Sequence, residues 1–193
     1  MKRKMELKKA VDEAVKVLRS GGVILYPTDT VWGLGCDASN PAAVERVCKI
    51  KKREKCSGLI VIAADFNMVC RHVKQVPEIA EEVAEMSDKP LTIIYPGAFN
   101  LAANVIAKDG SVGIRIVDHP FCNLLLAKFG KPIVATSANI SGEKSPSHYE
   151  YIDDSIIAGA DWVADPFHEE GSTGKPSSIL YIGEGGVVKI IRD

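Results

Sequence analysis

Val23-Ile24-Leu25-Tyr26-Pro27-Thr28-Asp29-Thr30 decides how this chain is read. Four consecutive apolar residues without a helical period suit a short buried strand. Pro27 cannot donate to a strand ladder, so the strand ends there and a polar turn follows. Upstream, Leu7, Val11, Ala14, Val15 and Leu18 fall at helical spacing among lysines and acids, and Gly21-Gly22 stops that helix. Downstream, Trp32-Gly33-Leu34-Gly35 reads as a Gly-bearing loop. Asn40 then caps a helix with Pro41 at its first position and Ala43, Val44, Val47, Cys48 and Ile50 as its apolar residues.

The same reading extends to the end. Strands are expected over Leu59–Ala63, Leu91–Tyr95, Val112–Val117 and Ile133–Ala135, then near 161–164, 178–182 and 187–191. Helices are expected over 66–72, 77–87, from Pro120 to Phe129, and over 148–159. Gly171–Ser178 reads as a loop. Strands alternate with helices and then crowd together, which predicts an α/β fold with a sheet that is parallel in part and mixed at one side. No linker or internal repeat divides the chain, so a single domain over residues 1–193 is expected.

Hydrophobic residues make up 46% of the 193, enough for a full core, and a net charge of −1 argues against a general nucleic-acid coat protein. Cys36, Cys48, Cys56, Cys70 and Cys122 form no C-x-x-C pair, so zinc is not indicated and free thiols in a reducing cytosol are expected. No apolar stretch has the length of a signal or a membrane span, which predicts a cytoplasmic protein without membrane contact.

Candidate chemistry sits at element ends. Lys51 and Arg53 stand where a helix gives way to a loop; they are either a solvated helix end or two cations converging on a polyphosphate. Thr136-Ser137-Ala138-Asn139-Ile140-Ser141-Gly142 follows a strand and is either a polar turn or a set of donors beyond the strand's carboxyl end. Pro27 to Thr30 leaves the same alternatives, with Asp29 bonding its own backbone in the plainer one. Arg115 lies inside the apolar strand Val112–Val117, where a charge must be paired, by a structural or a substrate carboxylate. Gly33-x-Gly35 does not directly join a strand to a helix, so it is not a dinucleotide loop. Pro176 stands where a P-loop needs Ser or Thr. The four histidines, His72, His119, His148 and His168, have no ligand spacing and read as surface or structural, and Trp32 and Trp162 read as core or wall. No nucleophile-and-base pair is present, which points to electrostatic positioning.

Together these stretches resemble the YrdC/TsaC family of threonylcarbamoyl-AMP synthases in its single-domain form. The likeness runs in order through Tyr26–Gly35, Lys51-x-Arg53, Val112–Ile116, His119-Pro120, Ser137–Gly142, Pro176–Ile179 and Ile191-Arg192. It implies a twisted open mixed sheet with flanking helices around a concave cavity. It implies formation of L-threonylcarbamoyladenylate and pyrophosphate from L-threonine, bicarbonate and ATP, with Mg2+ accompanying ATP. A downstream threonylcarbamoyl transferase complex would then modify adenosine 37 of tRNA, with tRNA either a direct partner of this chain or met only by that complex. By resemblance, Thr30, Arg115 and Ser177 are threonine-site residues. Lys51, Arg53, Ser57, Ser111, Ser137, Asn139, Ser145 and Arg192 are ATP-site residues, Lys51 and Arg53 among them catalytic. Glu54, Ser57 and Gly58 depart from the family pattern after Lys-x-Arg, as do Ile62 and Asp88-Lys89-Pro90. The rival reading is a non-catalytic RNA-binding paralogue of the same fold, which steep salt dependence without ATP turnover would reveal.

Overall fold

The computed structural model describes residues 2–193; Met1 of the expected domain lies outside them. Helix α1 (Lys2–Arg19) turns Val11, Ala14, Val15 and Leu18 into the core. Gly21, at φ +79°, ends it, and the Gly22 N–H returns to the Val17 carbonyl. The chain enters β1 (Ile24–Tyr26), which is wholly buried. The next segment, expected as a loop, is instead a strand, β2 (Gly33–Gly35), antiparallel to β1. Its glycines answer to crowding: a Cβ on Gly35 would run into the Val134 carbonyl oxygen, and one on Gly33 would press on the Tyr26 ring.

Helix α2 (Pro41–Ile50) begins as expected, with the Asn40 side chain accepting from the Ala42 and Ala43 N–H groups. There follow β3 (Ile60–Ala63), α3 (Phe66–Cys70), α4 (Ile79–Glu85), β4 (Leu91–Tyr95), β5 (Val112–Ile116), α5 (Pro120–Phe129), β6 (Ile133–Val134) and β7 (Thr136–Ser137). The chain closes with α6 (Asp154–Gly159), β8 (Trp162–Val163), β9 (Ser178–Ile182) and β10 (Val188–Arg192). The helix expected over 148–159 is broken. A 3-10 turn covers Tyr149–Tyr151, Ile152 is extended, and Asp153 starts α6 by accepting from the Ser155 N–H.

The strands form two mixed sheets rather than one. The first has the order β7-β2-β1-β8 and the second β10-β9-β4-β5-β3-β6. β1 with β8, β3 with β5 and β4 with β9 run parallel, and the other pairs antiparallel. The segment Ile133–Ser137 belongs to both sheets: β6 pairs with β3, and β7 with β2. A strand that changes sheets in this way fixes the two sheets against each other. Strand ends from both sheets meet beside this crossing.

Cys48 and Cys56 form a disulfide with their Cα atoms 5.8 Å apart, which corrects the expectation that all five thiols are free. Lys52 takes φ +52° and the Arg53 N–H bonds the Cys48 carbonyl, so the chain reverses and brings Cys56 back onto α2. Cys36, Cys70 and Cys122 are free; burial pushes the Cys36 thiol up to about 12 and the Cys122 thiol higher still. Among the described residues no helix is long and apolar enough to cross a membrane.

Candidate active site

A cleft of about 220 Å³ lies beside the crossing, lined by Thr28, Thr30, Trp32, Arg53, Arg115, Ser137, Ser145, Ser177 and Arg192 with parts of β2, β3 and Ala135 just before β7. Arg115 reaches it from the middle of β5 and is 5% exposed. Its Nη1 is ion-paired with Asp29, itself 7% exposed. The structure thus answers the open question about the charge in an apolar strand: Asp29, on the turn after β1, is its partner. The hydroxyls around it are fixed by buried neighbours. Thr28 Oγ1 lies 2.9 Å from Thr30 Oγ1, receives the Thr30 N–H and donates to the Val31 carbonyl. Ser177 Oγ is 2.8 Å from Thr92 Oγ1.

The loop over Gly171–Lys175 is zipped onto this turn. The Thr173 N–H bonds the Asp29 carbonyl at 2.9 Å, the Gly174 N–H bonds the Thr30 carbonyl at 2.8 Å, and Ser172 Oγ donates to the Thr28 carbonyl. Ser177 is gripped a second time by Arg192, whose Nε and Nη2 donate to its carbonyl at 3.0 and 2.6 Å. Trp32 is fully buried and donates Nε1 to Glu169. Burial alone would raise that carboxyl, but the bonds from His148, Trp32 and the Tyr149 N–H outweigh it and hold it below the usual carboxylate range.

On the other side, Arg53 stands outside any helix or strand. Its Nε donates to the Lys55 carbonyl at 2.9 Å and its Nη2 to the Ser57 carbonyl at 3.0 Å. Lys51 does not line the cleft. It is 3% exposed, and its Nζ donates to the Ser137 carbonyl and, at 2.6 Å, to the Asn139 carbonyl. The Lys51 carbonyl receives the Ser141 N–H at 2.8 Å, so this residue staples the end of α2 to the turn after β7. Burial, then the nearby Arg53 charge, lowers Lys51 to about 8.

Seven of the expected site residues therefore share the cleft: Thr30, Arg53, Arg115, Ser137, Ser145, Ser177 and Arg192. Four stand outside its lining. Besides Lys51, Asn139 spends its amide N–H groups on the Ile140 and Glu143 carbonyls, Ser111 bonds Asp109 through Oγ and N–H, and Ser57 meets Arg53 only through its carbonyl. Thr92 was not singled out by the sequence, and within the Pro27–Thr30 turn Asp29 was not named as the partner of Arg115. An Asp in a turn is ordinary, and only its pairing with the lone Arg of an apolar strand marks it. His119, 2% exposed, is buried near Asp29, and burial lowers its ring.

A larger cavity of about 590 Å³ lies elsewhere, but Asp29, Asp65, Glu81, Glu85, Asp88 and Asp118 line it against the single cation Lys89. That field repels phosphate and carboxylate ligands. The smaller cleft carries three arginines and no carboxylate in its lining. Its electrostatics suit an anionic ligand, and it offers a bare metal ion no protein carboxylate.

The chain is thus a mixed two-sheet α/β protein with an arginine- and hydroxyl-lined cleft at strand ends. The family model Sua5/YciO/YrdC, described as "Telomere recombination", matches residues 16–193, and the chain belongs to that family. A Vibrio vulnificus protein named threonylcarbamoyl-AMP synthase is 35% identical over 172 residues, covering 88% of this chain and 91% of that protein. Among solved structures, a doubly substituted P. abyssi Sua5 superposes with a TM-score of 0.85 at 27% identity, over 96% of this chain and 56% of that one. P. abyssi Sua5 in complex with L-threonine gives a TM-score of 0.81 at 26% identity, over 91% and 51%. The chain thus spans about half the length of those Sua5 structures.

Proposed function

We propose that this chain is a threonylcarbamoyl-AMP synthase, a nucleotidyltransferase that forms L-threonylcarbamoyladenylate and pyrophosphate from L-threonine, bicarbonate and ATP. The observation that carries this reading is Arg115. Asp29 engages one of its five N–H donors, which leaves donors for a carboxylate in a cleft flanked by the Thr30 and Ser177 hydroxyls. The names of the relatives and the threonine complex of P. abyssi Sua5 support the same substrate.

In this reading the threonine carboxylate lies against Arg115, and its amine points along the cleft toward Arg53. Amine and bicarbonate form a carbamate with loss of water, and a carbamate oxygen attacks the α-phosphorus of ATP as pyrophosphate leaves. Negative charge grows on the phosphoryl oxygens, and Arg53 and Arg192 are the cations placed to meet it. The Ser137 and Ser145 hydroxyls donate to phosphate or adenosine oxygens. Lys51 acts at one remove, by holding the Ser137–Ser141 turn in place. Mg2+ enters as part of MgATP, because the cleft lining provides no carboxylate to hold it. Holding reactants in line is enough for such a step, without a protein nucleophile. The product passes, in the cytoplasm, to a threonylcarbamoyl transferase complex that modifies adenosine 37 of tRNA.

Incubation with ATP, labelled bicarbonate and L-threonine tests this. Label is expected in a new adenylate, and only with threonine present. Protein that binds ATP yet forms no labelled adenylate would overturn the proposal, and a salt-dependent RNA titration would then follow.

A further inference from the structure

The Cys48–Cys56 disulfide plays no part in the chemistry above, yet it closes the loop that carries Arg53. We propose that it is a thiol–disulfide exchange site whose opening releases the aim of Arg53; this rests on the reading of Arg53 as an ATP-side residue.

Three observations carry it. The guanidinium of Arg53 is held by the Lys55 and Ser57 carbonyls, which flank Cys56 directly in the chain. Whatever fixes Cys56 therefore fixes both acceptors. No proline stiffens the chain from Ala42 to Val76, and the loop holds Lys52 and Gly58 at φ +52° and +64°. The turn at Lys52 is closed by the Arg53 N–H on the Cys48 carbonyl, but residues 54–58 beyond it make no backbone–backbone hydrogen bond among the described residues, so there the bridge supplies the restraint. Finally, the two sulfurs differ in access: Cys48 is 3% exposed on the inner face of α2, whereas Cys56 is half-buried.

The exchange balances with a dithiol reductant. One reductant thiolate attacks the Cys56 sulfur, the S–S bond breaks, and Cys48 leaves as a thiolate that takes a proton. The second reductant thiol attacks the mixed disulfide and releases Cys56 as a thiol. The reductant departs as its own disulfide, and the protein has gained two electrons and two protons. Disulfides in reducing compartments are mostly of this transient kind. Arg115 on β5, Thr92 on β4 and Ser177 just before β9 lie outside this loop, and the proposal leaves them in place.

The test compares air-oxidised protein, the same protein in dithiothreitol, and Cys56→Ser. ATP affinity is read by titration, threonine affinity likewise, and amide exchange across 51–58 by mass spectrometry. Reduction is expected to weaken ATP binding about five- to tenfold, to accelerate exchange within 51–58 alone, and to leave threonine affinity unchanged. Cys56→Ser should match reduced wild type and ignore dithiothreitol. Equal affinity and equal exchange in both states overturn the proposal. So does alkylation that finds both thiols free after air oxidation, and so does faster exchange over the whole chain, which marks a plain structural clamp. If ATP binds in neither state, exchange alone decides: acceleration confined to 51–58 upholds the switch while removing the ATP reading.

Discussion

On the Arg115 side of the cleft, side chains stand on strands or their ends and are gripped by other buried groups: Arg115 by Asp29, Ser177 by Thr92, Thr30 by Thr28. On the Arg53 side, the working side chain stands on a loop and is held by two backbone carbonyls of that same loop. The difference separates fold from function. On the proposed function, removing a group from the first wall is expected to disturb the core as well as binding, and removing one from the second to disturb binding alone.

The largest expected effect is on the first wall. Arg115→Ala leaves Asp29 charged and unpaired at 7% exposure, which costs about 3–5 kcal/mol of stability in urea denaturation. Adding Asp29→Asn should recover most of it; a loss below about 1 kcal/mol for Arg115→Ala would show that the pair does not hold the wall. Arg53→Ala should show the opposite pattern. Turnover falls on the order of a hundredfold, while stability stays within about 0.5 kcal/mol. A drop in melting temperature as large as that of Arg115→Ala would erase the contrast.

Lys51 lies between the two walls and gives a smaller, pH-dependent effect. Its folded value is about 8, below the 10.5 of an exposed lysine. Between those values the unfolded chain holds the proton that the folded one has released, so stability rises with pH through this window. The rise, wild type minus Lys51→Met, should be about 1–3 kcal/mol from pH 8 to 10.5 by urea denaturation. Stability falling there would mean that the ammonium charge itself is needed by the staple. Smallest of all is Ser57→Ala: only the carbonyl of this residue is used, so the ATP KM should stay within about twofold in a steady-state titration.

Much of this arrangement was legible beforehand. The Val23–Tyr26 strand, the Asn40-Pro41 helix start and the lone Arg115 in an apolar strand are local signals, and each is present. Strand β2 was hidden because its glycines are dictated by Val134 and Tyr26, residues distant in sequence or across the sheet. Two sheets rather than one could not be read because Ile133–Ser137 gives no sign of changing partners at Ala135. The inward turn of Lys51 did have a signal: it falls four residues after Val47 and seven after Val44, on the buried face of α2, whereas Lys49 and Lys52 do not. Its place in a basic run concealed that. The Cys48–Cys56 bridge had none, since its spacing follows from a tight reversal at Lys52 that a lysine does not announce.

The central claim is that Arg115 receives the carboxylate of threonine while Arg53 serves ATP. It is tested most directly by titrating L-threonine, and separately ATP, against pyrophosphate release by Arg115→Lys. Lysine keeps a charge for Asp29 but loses the planar fork. The threonine KM should rise about 10- to 100-fold with the ATP KM within about twofold. An unchanged threonine KM, or an ATP KM that rises in step with it, would contradict the account.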